Sequence, residues 1–460
     1  MILYELHRTM KERQMNSRTA CLRPRAKNFP NSIRQFLSPQ VFKQVRFQGN
    51  RRKKPRWDVH PLIWVMLLMA WSSGDSLPER FEVARGVYIA CCPKRRRPGK
   101  TFAGFEKALR RLKMPVLRAL SSALRIRIQQ VFGDRLLYEG FIPLGCDGTR
   151  LTCPRSEELE QRLGTVAKEG QMSDAPTIWN TSIVHLTLGI PWCWRFGRGS
   201  KASERKHLIQ MLPLLPKLAI IVTDAGYVGY EVTRALMAAN VSFLMRMSAN
   251  ATFYTLDHQE LKCWTEGIVY YWPTRNRNDP PIRGRLIRVT SRKRKHDVWL
   301  LTNVEDTGRL SVAFASRLYR WRWESEGFFR TYKRTLKKVK LEARTVQLIH
   351  REAEVSMLAT QLLLCQGALA MPQPTRGEKP IQCSPRGILL VIRAQFASVT
   401  FTSDYGRKLS QARRDTRQRL TSKTKRVFTA RKQHKPPKPP HVLTLPDELK
   451  PRFFKYLQAA

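Results

Sequence analysis

The chain has 460 residues, 84 of them Lys or Arg and 35 Asp or Glu, for a formal charge of +49. That length allows two or three domains with a real core. Such a surplus of one sign repels itself in a compact monomer and suits a polyanionic partner, with nucleic acid as the natural one. Nine cysteines are scattered without Cys-x-x-Cys pairs or zinc spacing, which excludes a zinc module and a disulfide scaffold and points to a reducing compartment. The first residues do not read as a signal peptide, and the apolar run Leu62–Trp71 is too short to span a bilayer. The expectation is a soluble cytoplasmic, nucleoid-associated protein with no membrane partner.

Taken in order, residues 1–135 read as a basic, all-α DNA-binding region. An amphipathic stretch from Ile33 to Val45 is interrupted by Pro39, and Trp57 to Trp71 reads as a buried helix after the basic run Arg51 to Lys54. A helix from Pro78 to Ala90 follows, then a helical pattern from Phe102 to Phe132, broken near Pro115. From Leu137 the period changes. Phe141 to Cys146 is a short apolar strand ending at Asp147-Gly148-Thr149. Ser182–Gly189 and Pro191–Phe196 read as a hairpin, and Ala202 to Leu215 as a helix. Leu218 to Thr223 is a buried strand ending at Asp224-Ala225-Gly226-Tyr227, followed by a helix from Tyr230 and a strand from Val241. This order implies an α/β mixed sheet flanked by helices over residues 136–370. A β-rich insertion occupies about 251–310, with a basic turn at Arg292 to Lys295. Two helices follow, one from Ser311 and one over Val346–Leu369. Residues 371–460 read as a basic, largely disordered tail: Arg407 to Lys438 holds thirteen basic residues and one acidic residue. Leu445 to Leu457 is a candidate terminal helix.

Three acidic positions carry the chemistry. Asp147 and Asp224 stand at strand ends, where rigid backbone can hold a metal. Glu326 lies in the stretch Tyr319 to Lys333, where Tyr319, Arg322, Glu326 and Lys333 fall within about 60° of one helical face. Glu324 points about 140° away from Tyr319 and reads as surface. Three carboxylates on a sheet and a neighbouring helix suit two Mg²⁺ ions, with Mn²⁺ as a substitute. Arg322 and Lys333 could hold phosphates, and Tyr319 could donate a hydrogen bond to one. Taken alone, each aspartate reads equally well as a turn cap, and the charged helical face as a solvated one.

These motifs, in this order, resemble those of bacterial DDE transposases of insertion-sequence family four. The Asp-Gly-Thr, Asp-Ala-Gly-Tyr and Tyr-x2-Arg-x3-Glu-x6-Lys patterns match over roughly Leu137 to Leu369, the last without a gap. The resemblance implies an RNase H-like catalytic domain and cut-and-paste DNA transposition. Its partners would be double-stranded DNA at terminal inverted repeats and at the target, bound by a homo-oligomer assembled on the ends. Asp147, Asp224 and Glu326 would be catalytic and hold the metals, while Tyr319, Arg322 and Lys333 contact DNA phosphates. It further implies a tryptophan of the insertion stacking on a flipped base, with Trp264, Trp272 and Trp299 as candidates. The alternatives are a non-catalytic DNA-binding protein derived from a transposase, and an RNase H-like nuclease that cuts without joining.

Overall fold

A computed structural model describes residues 28–45, 55–165, 175–199, 202–290, 297–338, 340–373, 378, 381–398, 401–414 and 438–458. The basic runs at 51–54, 292–295 and 415–437 lie outside the described residues.

The N-terminal region is helical. Helices α1 (Phe29–Phe36) and α2 (Pro39–Gln44) divide where Pro39 cannot continue α1. Asp58 caps α3 (Val59–Trp71), which is apolar on every side and nearly all buried. Ser76 and Glu79 form a reciprocal capping box at α4 (Leu77–Cys91). Helices α5 (Phe102–Arg111) and α6 (Met114–Phe132) meet at the break before Pro115. The mixed α/β region then runs β1 (Ile142–Thr152), α7 (Glu157–Leu163), β2 (Thr177–His185), β3 (Pro191–Arg198), α8 (Glu204–Met211), β4 (Ala219–Thr223), α9 (Tyr230–Ala238) and β5 (Ser242–Met247). The insertion supplies β6 (Thr252–Thr255), β7 (Glu266–Tyr271), β8 (Ile282–Val289) and β9 (Val298–Thr302). Helices α10 (Val312–Trp321), α11 (Trp323–Arg330) and α12 (Val346–Ala370) follow.

One sheet takes all these strands in the order β10-β6-β7-β8-β9-β5-β4-β1-β2-β3, where β10 (His441–Thr444) comes from the chain's end. Strands β1, β2 and β3 form an antiparallel meander, and β4 and β5 add parallel to β1. That is the strand order of an RNase H-like sheet, as the sequence implied. The insertion is not a separate unit: β9 pairs antiparallel with β5, so the insertion extends the same sheet.

The two faces of the sheet bury different cores. Leu144, Cys146, Ile221 and Met245 join an apolar cluster running from Phe29 to Leu409, which unites the N-terminal helices, α12 and the helices after it. Ile220, Val222 and Leu244 face Phe314, Leu318 and Tyr319 of α10. Helix α12 is long and apolar enough to cross a membrane, the only such helix among the described residues, and it is mostly buried at the centre of the protein. The Trp71 indole reaches its Ala359 carbonyl at 3.2 Å.

The described residues beyond 371 form helices and a strand that a largely disordered tail would lack. Helices α13 (Pro385–Ser398) and α14 (Tyr405–Gln411) pack into the large core through Ile388, Ile392 and Tyr405. Strand β10 pairs with β6, and Phe453 of α15 (Lys450–Gln458) seats on Tyr270 and Trp272. Sparse apolar residues in a basic background suffice here because an existing core and an open strand edge receive them.

Candidate active site

Strand β1 does not end at Asp147 but continues to Thr152, so the Asp-Gly-Thr motif lies within a strand. Asp224 does follow its strand, with its side chain accepting from the Gly226 N–H at 2.9 Å. Strands β1 and β4 are parallel, pairing Gly145 with Val222. Asp147 lies two residues beyond Gly145 on β1, so it shares the face carrying Gly145, and Asp224, just past the end of β4, is near enough for its charge to act on Asp147.

Helices α10 and α11 cover that face. A Cβ on Gly145 would come within 2.6 Å of the Ser325 hydroxyl, so a glycine is needed for α11 to lie this close to β1. That contact brings Arg322 next to Asp147. Burial pushes the Asp147 carboxyl up to about 6 from the ordinary 3.8. The Gly148 N–H and the Arg322 guanidinium oppose that rise, while the negative charges of Asp224 and Glu204 add to it.

The stretch Tyr319 to Lys333 is not one uniform helix. At Arg322 the hydrogen bonds tighten to the i−3 pattern, Arg322 N–H to Tyr319 and Ser325 N–H to Arg322. A π-turn at Thr331–Thr335 then widens the helix and shifts Lys333 off the regular wheel. Arg322 is buried, lies over the rings of Trp323 (4.9 Å) and Tyr319 (5.8 Å), and is 3.7 Å from Glu326. That distance is an ion pair, not a hydrogen bond. Arg322 thus bridges the charge of Asp147 and that of Glu326. The Tyr319 ring is buried in the second core. Lys333 is half-buried, and burial lowers its pKa.

Among the described residues, no three His, Cys, Asp and Glu side chains are gathered closely enough to hold a metal ion together. The structure brings Asp147, Asp224 and Arg322 together and ties Glu326 to Arg322. It does not gather the three carboxylates as one cage. A second observation bears on the fit. Thr223 Oγ1, Tyr227 OH, Arg322 Nε, Ser325 Oγ and Trp179 Nε1 are all buried without a hydrogen-bond partner. Each belongs to β1's flanking strands, to the turn after Asp224 or to the Arg322 helix. Buried polar atoms without partners are rare and call for a water or ion to complete them. Mg²⁺ keeps several waters and needs only one or two protein carboxylates beside substrate phosphates. Hard oxygen donors at Asp147 and Asp224, with Trp179 Nε1 close to Gly148 and Ser325 Oγ close to Gly145, fit such an ion.

Several sequence expectations need correction. Glu324 is not free surface: it pairs with Arg414 at 2.8 Å, and its side chain is only 16% exposed against 43% for Glu326. Arg414 belongs to the tail, whose packing no helical wheel encodes. Trp264, Trp272 and Trp299 are all buried. Trp264 donates to the Leu286 carbonyl, Trp272 to those of Asn276 and Asp279, and Arg288 covers Trp299, so none presents a free face for a base. Glu204 was missed. It opens α8 after a Ser203 cap and sits against Gly148. Its only sequence signal was a Ser-Glu helix start, a common pattern.

The fold and the paired aspartates define an RNase H-like domain with an acidic centre. Residues 174–362 match the family model described as the transposase DDE domain. The match takes in Asp224, Tyr319, Arg322, Glu326 and Lys333 and begins after Asp147. No curated protein matches the sequence. Among solved structures, the chain is similar to a piggyBac transposase synaptic complex with hairpin DNA determined by cryo-EM, with 9% identity, 85% of this chain and 82% of that chain covered, and a TM-score of 0.38.

Proposed function

We propose that this protein is a DDE transposase that cuts DNA at the ends of a mobile element and joins them to a target. The observation that carries the reading is the nearness of Asp147, within β1, to Asp224, just past the end of the neighbouring parallel strand β4, with Arg322 beside Asp147 and paired to Glu326. The match to the transposase DDE domain supports it, as does the charge of +49.

In this reading Asp147, Asp224 and Glu326 hold divalent cations, Mg²⁺ or Mn²⁺. Bound there, such ions make an attacking water or 3′-hydroxyl more acidic and stabilise the leaving oxygen of a phosphodiester. The chain's own residues do the rest. Asp147 arrives partly protonated near pH 6 and gives up that proton as a cation or a basic neighbour approaches. Arg322, held by two aromatic rings, keeps a guanidinium beside the carboxylates, where it can hold a phosphate oxygen. Lys333 adds a second cation further along the same segment. The N-terminal helices recognise the element's ends, and a homo-oligomer pairs two ends on DNA.

The test is cleavage of DNA carrying the gene's own flanking sequence, by the full-length chain with Mg²⁺ or Mn²⁺. Wild type should nick and join. Asp147→Asn, Asp224→Asn and Glu326→Gln should each lose at least about 10²-fold in cleavage while retaining DNA binding. Undiminished cleavage by these variants would overturn the assignment. Binding without cleavage by wild type would mark a non-catalytic DNA-binding protein, and cleavage without joining a nuclease.

A further inference from the structure

Gly148 follows Asp147 inside a continuous strand, where no turn requires a glycine. What requires it is close approach. A Cβ at Gly148 would overlap the Glu204 carboxylate, with its Cδ at 2.6 Å, and would lie 2.7 Å from Trp179 Nε1. Any side chain at 148 would therefore displace Glu204.

Glu204 is held in that position from several sides. Ser203 caps its helix by accepting the Lys206 N–H. The next residue, Arg205, donates to the Gly226 carbonyl at 2.9 Å, tying the start of α8 to the turn after Asp224. One turn on, His207 meets the Thr181 hydroxyl at 2.8 Å. These bonds fix Glu204 across the strand ends from the face opposite Arg322. Beside it the Tyr227 hydroxyl is buried against Glu204 and Cys146 and makes no hydrogen bond of normal geometry. Trp179 Nε1 is likewise buried and unpartnered.

A carboxylate placed by a capped helix, admitted by the glycine next to Asp147 and repelled by the charges of Asp147 and Asp224, is an unfavourable arrangement without a cation. A solvent-exposed Glu at a helix start would serve the helix dipole equally well, without crowding Asp147 and Asp224. We infer that Glu204 is a further acidic member of this site, which strengthens divalent-cation binding at Asp147 and Asp224 by charge and through the cation's water ligands. The inference rests on the reading of those aspartates as the cation site. It makes Glu204 a positioning residue, not a ligand that touches the reacting atoms. It also gives the Asp-Gly pair a physical meaning: the aspartate holds the ion, and the glycine leaves room for a second carboxylate behind it.

The test is Mn²⁺ affinity of the full-length protein without DNA, followed by electron paramagnetic resonance of free Mn²⁺. Glu204→Gln keeps the shape and removes the charge. It should weaken Mn²⁺ about 10–100-fold, the usual cost of losing an outer-sphere partner. Gly148→Ala, which displaces the carboxylate without changing it, should weaken Mn²⁺ in the same direction. Glu204→Asp should recover part of the affinity. A Glu204→Gln affinity within twofold of wild type would overturn the role of Glu204 while leaving the aspartate reading intact. Absence of saturable Mn²⁺ binding by wild type, or undiminished binding by Asp147→Asn with Asp224→Asn, would overturn the aspartate reading itself.

Discussion

The two halves of the sheet treat their acidic side chains in opposite ways. In the insertion three carboxylates each face an arginine. Arg283 takes Glu305 at 2.9 Å, Arg288 takes Asp297 at 2.7 Å, and the buried Arg285 faces Glu266 at 3.7 Å. Around β1 and β4 the carboxylates of Asp147, Asp224 and Glu204 act on one another as like charges, with the guanidinium of Arg322 opposing them at Asp147. The first arrangement sets each of these carboxylates against a guanidinium of the chain. The second leaves negative charge and unpartnered polar atoms in one place, which a folded protein sustains where an outside cation or phosphate completes the set.

That contrast can be broken by mutation. The largest effect on stability belongs to the insertion. Trp272→Ala removes a fully buried indole under Phe453 and should cost about 3–5 kcal/mol, read as a lower denaturant midpoint. Mn²⁺ affinity at the aspartates should survive wherever the protein stays folded. Second, Asp147→Asn should stabilise the cation-free protein at pH 7 by up to about 2–3 kcal/mol. The sign follows from the raised carboxyl. The folded state holds the proton more tightly, so the group's contribution is fully present below pH about 4 and is lost as the pH rises through about 6. The gain from asparagine should therefore vanish at pH 4. A destabilised Asp147→Asn at pH 7 would show that the carboxylate is matched within the chain after all, as those of the insertion are.

Third, Mn²⁺ affinity should fall as the pH drops below about 6, because the cation then competes with the Asp147 proton. A profile flat down to pH 5 would contradict this. The smallest effect belongs to the exposed pair Arg283–Glu305. Glu305→Gln should change stability by less than about 1 kcal/mol and leave Mn²⁺ binding unchanged.

Much of this was legible in the residues. Apolar periodicity located α3, α12 and the strand before Asp224 within a few residues, because burial on one or all sides dictates which positions must be apolar. The proline at 39 and the break before Pro115 marked helix boundaries, since proline's lost N–H is a local effect. The helical wheel over Tyr319–Lys333 failed where hydrogen bonding departed from the regular i−4 pattern, at Arg322 and at the π-turn. Those departures have no signature in residue spacing. The expected terminal helix is present, and the described parts of the tail pack because Tyr405 and Phe453 find partners that only the assembled core provides, which composition, reporting average solvation, does not reveal.

By itself the sequence determined the classes of element, the excess positive charge and the acidic residues that end or interrupt strands. These are properties of single residues and their near neighbours. The tertiary structure decided which acids become neighbours, through the parallel pairing of β1 with β4. It decided that Arg322 lies between Asp147 and Glu326, that Glu324 answers to Arg414, and that Gly148 makes room for Glu204. Electrostatic coupling falls off with distance in space, and residues far apart in the chain become neighbours only when the sheet closes.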